Sequence, residues 1–243
     1  MTKKPPNTDD KGNTRAVDIG APLTQSMENH LKAIFAVLEK NDRASTSAVA
    51  REIGVAPPSV TAMVRRLAEL GLVTHERYQG VQLTAVGRRT ALEIVRHHRL
   101  LELYLAEALG VPWDRVHDEA ERLEHAISED VEERIDAVLG NPTVDPHGSP
   151  IPARDGTLLR STAWTLGDAT EGAVLVVAEV DDGSPELLRY LAELGMFPGV
   201  RVEVLHIDPF NGPLRVRVDR REFVIGRAAA REVRVRTAEE GSN

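Results

Sequence analysis

The stretch TSAVAREIGVAPPSVTAMVRRLAELGL, Thr46 to Leu72, carries the punctuation of two short helices joined by a tight turn. Thr46 reads as the N-cap of a helix holding Val49, Ala50 and Ile53, which Gly54 closes. Val55-Ala56-Pro57-Pro58 makes the turn, and proline is well tolerated in a first helical turn. The next helix, about 58–70, brings Val60, Met63, Val64, Leu67 and Leu70 onto one apolar face before Gly71 ends it. Upstream, a helical pattern starts at Thr24 with Leu31, Ile34, Phe35 and Leu38 on one stripe. Downstream, strands Leu72–Arg77 and Val81–Leu83 flank Tyr78-Gln79-Gly80, a small hairpin. Helix, short helix, turn, helix, hairpin is the order of a winged helix-turn-helix, whose second helix enters the major groove of double-stranded DNA by its N-terminal end. Pro58, Ser59, Thr61, Ala62 and Arg65 are the candidate contacts there, and Arg77 and Tyr78 at the wing tip suit phosphate.

Charge along the chain supports a phosphate partner despite the net −8. Residues 43–99 carry nine Lys/Arg against four carboxylates, giving +5, whereas residues 100–140 carry twelve carboxylates against three arginines, giving −9. A basic head beside an acidic body fits a phosphate-binding part and a cation-binding part. Zero cysteines exclude disulfides, thiolate zinc sites and cysteine nucleophiles. No apolar run reaches the roughly 18 residues that span a bilayer. The polar stretch 1–22, with two lysines and no apolar core behind them, reads as a disordered tail and not as a signal peptide, so a cytoplasmic protein without a membrane partner is expected.

Beyond the hairpin, Thr84 starts a long helix to about Leu109, ended by Gly110-Val111-Pro112. Further helices cover about Asp114–Ala126 and Ser128–Leu139. Four prolines in 141–156 mark a linker. From about Leu158 the chain reads as β: Val174–Val180, Val200–His206, Leu214–Asp219, Glu222–Ile225 and Glu232–Arg236, with a helix Pro185–Leu194 after the first strand. Five short strands in about 80 residues suggest a small barrel. The fold class is mainly α with a β C-terminal domain.

The chemistry concentrates in His117-Asp-Glu-Ala-Glu121-Arg-Leu-Glu124-His125. On a helix, spacings of four, three and one align these groups along one face, so Glu121, Glu124 and His125 can converge. Two carboxylates with one imidazole form a site suited to Mn²⁺ or Fe²⁺. His98 and Glu102 form a second i, i+4 pair on the preceding helix. Glu121 to His125 approximates the inverted zincin motif His-x-x-Glu-His, but a glutamate replaces the first histidine and removes the two-histidine platform. With no Walker loop, dinucleotide fingerprint or Gly-x-Ser-x-Gly elbow either, no enzyme is expected.

The run His117-Asp-Glu-Ala-x-Arg-x-Glu124-His125-x-x-Ser128, preceded by His98-Arg-Leu-Leu-Glu102 and followed by Asn141-Pro and Gly148-Ser-Pro-Ile-Pro152, resembles the diphtheria toxin repressor family of metal-dependent bacterial repressors. The resemblance extends over about residues 24–237. Leu191-Ala-Glu-Leu-Gly-Met-Phe-Pro-Gly199 is similar to the SH3-like domain of its long members, akin to the small ferrous-transport A protein.

The resemblance implies a winged helix-turn-helix over 23–90, a helical dimerisation and metal-binding domain over 91–140, a linker over 141–157 and an SH3-like barrel over 158–237. It also implies a homodimer that represses metal-uptake genes at a palindromic operator. The primary metal site would use Glu121, Glu124 and His125 with a ligand at or next to Asn29. An ancillary site would use His98, Glu102 and His117 with Glu179 and Asp182. His98 serves either that site or a binuclear manganese site. Iron-type members have cysteine at the position of Glu121 and manganese-type members glutamate, which favours Mn²⁺ over Fe²⁺ here. The chain departs from the family pattern at Asn29, where Asp or Met is usual, and at Lys32, where the manganese type places a second carboxylate. The first-helix ligand is therefore open among the Asn29 amide, Glu28, His30 and a backbone carbonyl. A winged-helix regulator that senses no metal is the alternative outside this class.

Overall fold

The computed structural model describes residues 22–76, 80–159 and 161–238 and divides into two compact units, one ending at Ala91 and one starting at Leu92. The first holds α1 (Gln25–Lys40), α2 (Thr46–Glu52), α3 (Pro57–Glu69), β1 (Val73–Glu76), β2 (Gly80–Leu83) and the start of α4 (Ala85–Glu107). Thr24 caps α1 through its hydroxyl, which accepts from the Met27 N–H. The cap of α2 is Ser45, not Thr46: Ser45 is extended, its Oγ accepts from Ala48 N at 3.1 Å, and Thr46 is already helical. Both residue types cap well, so sequence alone leaves their order undecided. In α3, Val60, Val64 and Leu67 are buried, whereas Met63 is half-buried and Leu70 exposed, so the apolar face is narrower than expected.

The hairpin is antiparallel, from Val73 opposite Leu83 to Glu76 opposite Gly80. Ala44 adds an unforeseen bridge to Val81, with backbone bonds of 3.2 and 2.8 Å. Thr84 caps α4, its Oγ1 accepting from Gly87 N at 3.0 Å. Gly87 is obligatory there, because a Cβ would lie 1.8 Å from the Leu72 carbonyl oxygen. Arg77 and Tyr78, the wing-tip candidates, lie outside the described residues.

In the second unit, the rest of α4 packs with α5 (Val116–Leu123) and α6 (Glu129–Val138) around Leu100, Leu101, Val116, Ala120 and Ile135. Here α5 is shorter than expected. Ala126 N bonds back to Leu123 O, tightening the end, and Ser128 caps α6, so the chain breaks between the two helices. Glu124 is thus the helix's C-cap, and His125 stands just beyond it.

The segment expected to be a plain linker packs firmly instead. Ile151 enters the helical core, and Val144 bridges Pro150. Arg96 and Arg99 of α4 donate to the carbonyl oxygens of Pro152 (2.9 Å) and Pro150 (2.5 Å). Proline-rich composition signals irregular backbone, but two guanidinium donors from α4 give that backbone hydrogen-bonding partners.

Beyond it lie β3 (Trp164–Thr165), a 3-10 turn (Leu166–Asp168), β4 (Val174–Val180), α7 (Pro185–Leu194), β5 (Arg201–Ile207), β6 (Leu214–Val218), β7 (Arg221–Ile225), α8 (Arg227–Arg231) and β8 (Val233–Thr237). The strands form one antiparallel sheet in the order β3-β8-β4-β5-β6-β7. Strictly alternating burial in β6 (Leu214, Val216, Val218) and β8 (Val233, Val235) makes one face of the core, which Leu188, Leu191 and Leu194 of α7 complete. A bulge between Val177 and Glu179 re-aims the end of β4. Gly148 of the proline-rich loop packs there, at φ +89, where a Cβ would meet the Ala178 carbonyl oxygen at 2.1 Å. The loop is pinned to the strand by Val180 N donating to His147 O at 2.9 Å. β3, α8 and the 3-10 turn escaped the sequence reading, being too short to show a period.

Candidate metal centre

One turn of α4 places His98 and Glu102 on the same buried face, with no side-chain surface of Glu102 exposed. His98 is the hub. Its Nδ1 lies 2.5 Å from Glu124 Oε2 and 3.9 Å from Glu121 Oε1, while its Nε2 lies 3.0 Å from Glu102 Oε1 and 3.2 Å from His117 Nδ1. His117 Nδ1 is in turn 3.1 Å from Glu102 Oε1 and 3.3 Å from Asp182 Oδ2. His125 Nε2 lies 3.3 Å from Glu124 Oε1. Among the described residues three groups of potential ligands result: His98, Glu102, His117 and Asp182; His98, Glu121 and Glu124; and Glu102, Asp145 and His147.

Eight of the sequence candidates for metal ligands lie in the second unit. Glu121, Glu124 and His125 come together beside His98, and Glu102, His117 and Asp182 gather on its other side. Glu179 does not join them. The bulge in β4 leaves its carboxylate accepting from Ser149 Oγ at 2.7 Å, with Arg234 Nε 3.8 Å from its other oxygen. Asn29 sits on α1 of the first unit, half-buried, with Oδ1 buried and lacking a hydrogen-bond partner.

Sequence reasoning missed Asp145 and His147, because it took their segment for a linker. Asp145 Oδ1 accepts from the N–H groups of His147 (2.8 Å) and Ser149 (3.0 Å), an Asx-type turn that Asp-Pro-His-Gly-Ser could have signalled. The same turn carries His147 into full burial.

Electrostatics bind the cluster. Burial alone would push the Glu102 carboxyl up, but the charge of His98 and hydrogen bonds with His117 and His98 hold it well below the usual carboxylate range. Burial would likewise lower His117, yet its bonds to Asp182 and Glu102 raise it to about 11. Asp182 is held down against burial by His117. Asp145 goes the other way, raised well above its ordinary value by burial and by the neighbouring charge of Glu102. The proton on His117 is thus a cation that balances Glu102 and Asp182.

A divalent ion fits the same place. Glu102 Oε2, Asp145 Oδ2 and His147 Nδ1 are buried without hydrogen-bond partners. His147 Nε2 faces the Trp113 carbonyl oxygen at 2.9 Å, so that nitrogen carries the proton and Nδ1 offers its lone pair. All the donors are carboxylate oxygens and imidazole nitrogens, and the chain has no cysteine to add a thiolate.

At the other candidate site, the N-terminal turns of α3 expose Pro58, Ser59, Ala62 and Arg65. Thr61 is half-buried and its hydroxyl donates to Pro57 O at 3.1 Å.

Comparison with known proteins decides the family. Residues 22–81 match the iron dependent repressor N-terminal DNA binding domain, 84–153 its metal binding and dimerisation domain, and 164–237 the FeoA domain. The iron-dependent repressor IdeR of Mycobacterium tuberculosis is 34% identical over 194 residues, covering 75% of this chain and 84% of that protein. The chain belongs to the iron-dependent repressor family. It is a metal-dependent DNA-binding repressor and not an enzyme. The diphtheria toxin repressor of Corynebacterium diphtheriae is 34% identical over 133 residues, 55% of this chain and 59% of that protein. A manganese-dependent transcriptional repressor in complex with manganese superposes with a TM-score of 0.82 at 41% identity, covering 87% of this chain and 99% of that one. Among the described residues no helix is long and apolar enough to cross a membrane.

Proposed function

We propose that this repressor responds to Mn²⁺, binding a palindromic operator as a homodimer when its buried carboxylate–imidazole groups hold divalent ions. The observation that carries the reading is the sulfur-free donor set: hard oxygens with imidazole nitrogens suit Mn²⁺ better than a softened thiolate site would. Glu121, Glu124 and His125, with Nδ1 of His98, would hold one ion. Glu102, Asp145 and His147, with His117 and Asp182 beside them, would hold a second. The resemblance adds a first-helix ligand at or next to Asn29. A bound ion supplies the positive charge that histidine protons otherwise provide. The imidazole that carries such a proton would release it as the ion takes its place, so binding is coupled to pH. Ion occupancy selects one arrangement of the repressor over another, by as much as its affinities for the two differ.

On the operator, α3 would present Pro58, Ser59, Thr61, Ala62 and Arg65 to the major groove, and Arg77 and Tyr78 would meet phosphate. Affinity for DNA should fall steeply with salt. The protein would act in the cytoplasm on genes of metal uptake. Iron is the second reading, favoured by the iron-dependent name of the mycobacterial relative. Fluorescence anisotropy of a labelled palindromic duplex separates them, with Mn²⁺, anaerobic Fe²⁺ or chelator added. Tighter binding with Mn²⁺ than with Fe²⁺, and little with chelator, is expected. Equal binding with chelator and with excess Mn²⁺ would remove metal from the mechanism.

A further inference from the structure

Charge is sorted along the C-terminal β domain as it is along the helices. Residues 164–200 carry seven carboxylates against Arg189 alone, giving −6, whereas residues 201–237 carry nine arginines against five carboxylates, giving +4. We propose that the outward face of the six-stranded sheet is a second DNA-binding surface, on which Arg201, Arg215 and Arg236 take phosphates of the duplex that carries the operator.

Strand alternation puts these arginines on one face. Val202 and Val204 of β5, Val216 and Val218 of β6, and Val233 and Val235 of β8 are buried, so Arg201, Arg215, Arg217, Arg234 and Arg236 stand on the opposite, outward side. Val176 of β4 pairs with Arg201 on one flank and with Arg236 on the other. Two strand spacings then separate the backbones of these two arginines, about 10 Å.

The arginines of this domain divide by what they bond. Arg217 donates to Glu203 at 2.6 Å and to Glu222 at 2.8 Å, an ion triplet that neutralises the neighbouring row. Arg234 lies 3.8 Å from Glu179. Arg221 donates to Glu193 O, and Arg227 to Gly167 O and Gly212 O, which ties strands to the turns around them. Arg201, Arg215 and Arg236 have no hydrogen bond or ion pair from their guanidinium groups among the described residues. The fold therefore gives the first set a structural task and the second none. Asp219, the carboxylate of the β6–β7 turn, is offset by Arg220 next to it.

Unneutralised guanidinium groups on one face select a polyanion, and their planar forks match phosphate bidentately. The chain belongs to a family of DNA-binding repressors, so duplex DNA is the polyanion it meets. A duplex offers one negative charge per roughly 1.7 Å of its axis. Phosphate contacts carry no base identity, so this surface adds affinity and leaves the choice of operator to α3. The acidic stretch 100–140 of a second copy, net −9, is the competing occupant.

The test is the full chain with Arg201→Gln, Arg215→Gln and Arg236→Gln combined, compared with wild type by anisotropy of a long labelled operator duplex, with saturating Mn²⁺ and varied salt. The slope of log affinity against log salt should fall by about one for each arginine that meets a phosphate, and affinity should drop about tenfold or more at low salt. A scrambled duplex should lose the same factor, so the preference for the operator is kept. Lysine at the three positions should restore most of the slope, which a folding defect would not allow. Slopes are compared under one condition, so they stay readable if Fe²⁺ proves the stronger activator. A glutamine variant with the slope and affinity of wild type overturns the proposal. The same result with a smaller assembly in sedimentation would assign the face to a second copy and overturn it equally.

Discussion

α4 and the loop from Asn141 to Pro152 serve the same buried cluster, and they reach it by opposite means. On α4 the ligands stand one helical turn apart, so His98 and Glu102 are aligned by backbone geometry alone. On the loop, Asp145 and His147 are aligned by an Asx turn, by the bulge in β4 that receives Gly148, and by Arg99 donating to Pro150 O. A helix carries its own hydrogen bonds, whereas a loop borrows them from its surroundings. The α4 side should therefore tolerate local damage that the loop side does not, unless the damage falls on the residues that lend those bonds.

Arg96 is such a residue, and it gives the largest expected effect. Its guanidinium is buried, donating to Glu132 at 2.6 Å, Asp136 at 2.7 Å and Pro152 O at 2.9 Å. Arg96→Ala takes the guanidinium from Asp136 and the Pro152 carbonyl and leaves Glu132 with His97 and the more distant Arg154 only, and it should destabilise the protein by about 3–5 kcal/mol. Urea unfolding of the metal-free protein measures it. A loss below about 1 kcal/mol would mean that the loop does not depend on α4.

The next test sets a helix ligand against a loop ligand. Glu102→Ala removes a carboxylate common to two groups and should weaken Mn²⁺-activated operator binding on the order of a hundredfold. His147→Ala removes a member of one group and should cost about tenfold. Equal losses would show that the helix side is no more central than the loop. A third substitution leaves every ligand in place. Gly148→Ala puts a Cβ against the Ala178 carbonyl at a left-handed φ and should cost about 1–3 kcal/mol. Its Mn²⁺ titration should lose affinity at the second group, while a binding curve like that of wild type would mean that the loop positions His147 without its seat on β4.

The same contrast explains what was legible in the sequence. Periodicity revealed α1, α3 and α4, and helical spacing found His98, Glu102, His117 and Glu121, because a repeat of 3.6 residues is written into the order of the side chains. Glu124 and His125 were named correctly as neighbours of Glu121, although they lie at and past the end of α5. Their closeness comes from the tight end of that helix as much as from its face. The turn of Asp145 and His147 could be read from Asp-Pro-His-Gly-Ser but its place in the cluster could not, since nothing local tells that Trp113 O and Val180 N wait for it across the fold. Glu179 stands apart from the cluster for a related reason: a one-residue bulge decides where its carboxylate points, and a bulge has no period.

His117 reaches both sides of the cluster, bonded to Glu102 of α4 and to Asp182, which lies 4.0 Å from His147 of the loop, and it yields the smallest effect. Burial would lower its imidazole, but those two carboxylates raise it to about 11 from an ordinary 6.5. A group raised on folding contributes stability that is fully present below its unfolded value and is lost as pH climbs through the folded one. The metal-free protein should therefore lose stability gradually between about pH 6.5 and 11. About a third of the side chain is exposed, so solvent screens the contribution and the fall in Tm should be modest. Over the same interval Mn²⁺ should bind more tightly, because the proton on His117 competes with the ion and leaves as pH rises. The two trends run in opposite directions, and His117→Gln should flatten both. If Tm and Mn²⁺ affinity rose together, or if the variant tracked wild type in both, the protons on His117 would not be what the ion replaces, and the link between helix and loop would have to pass through Glu102 alone.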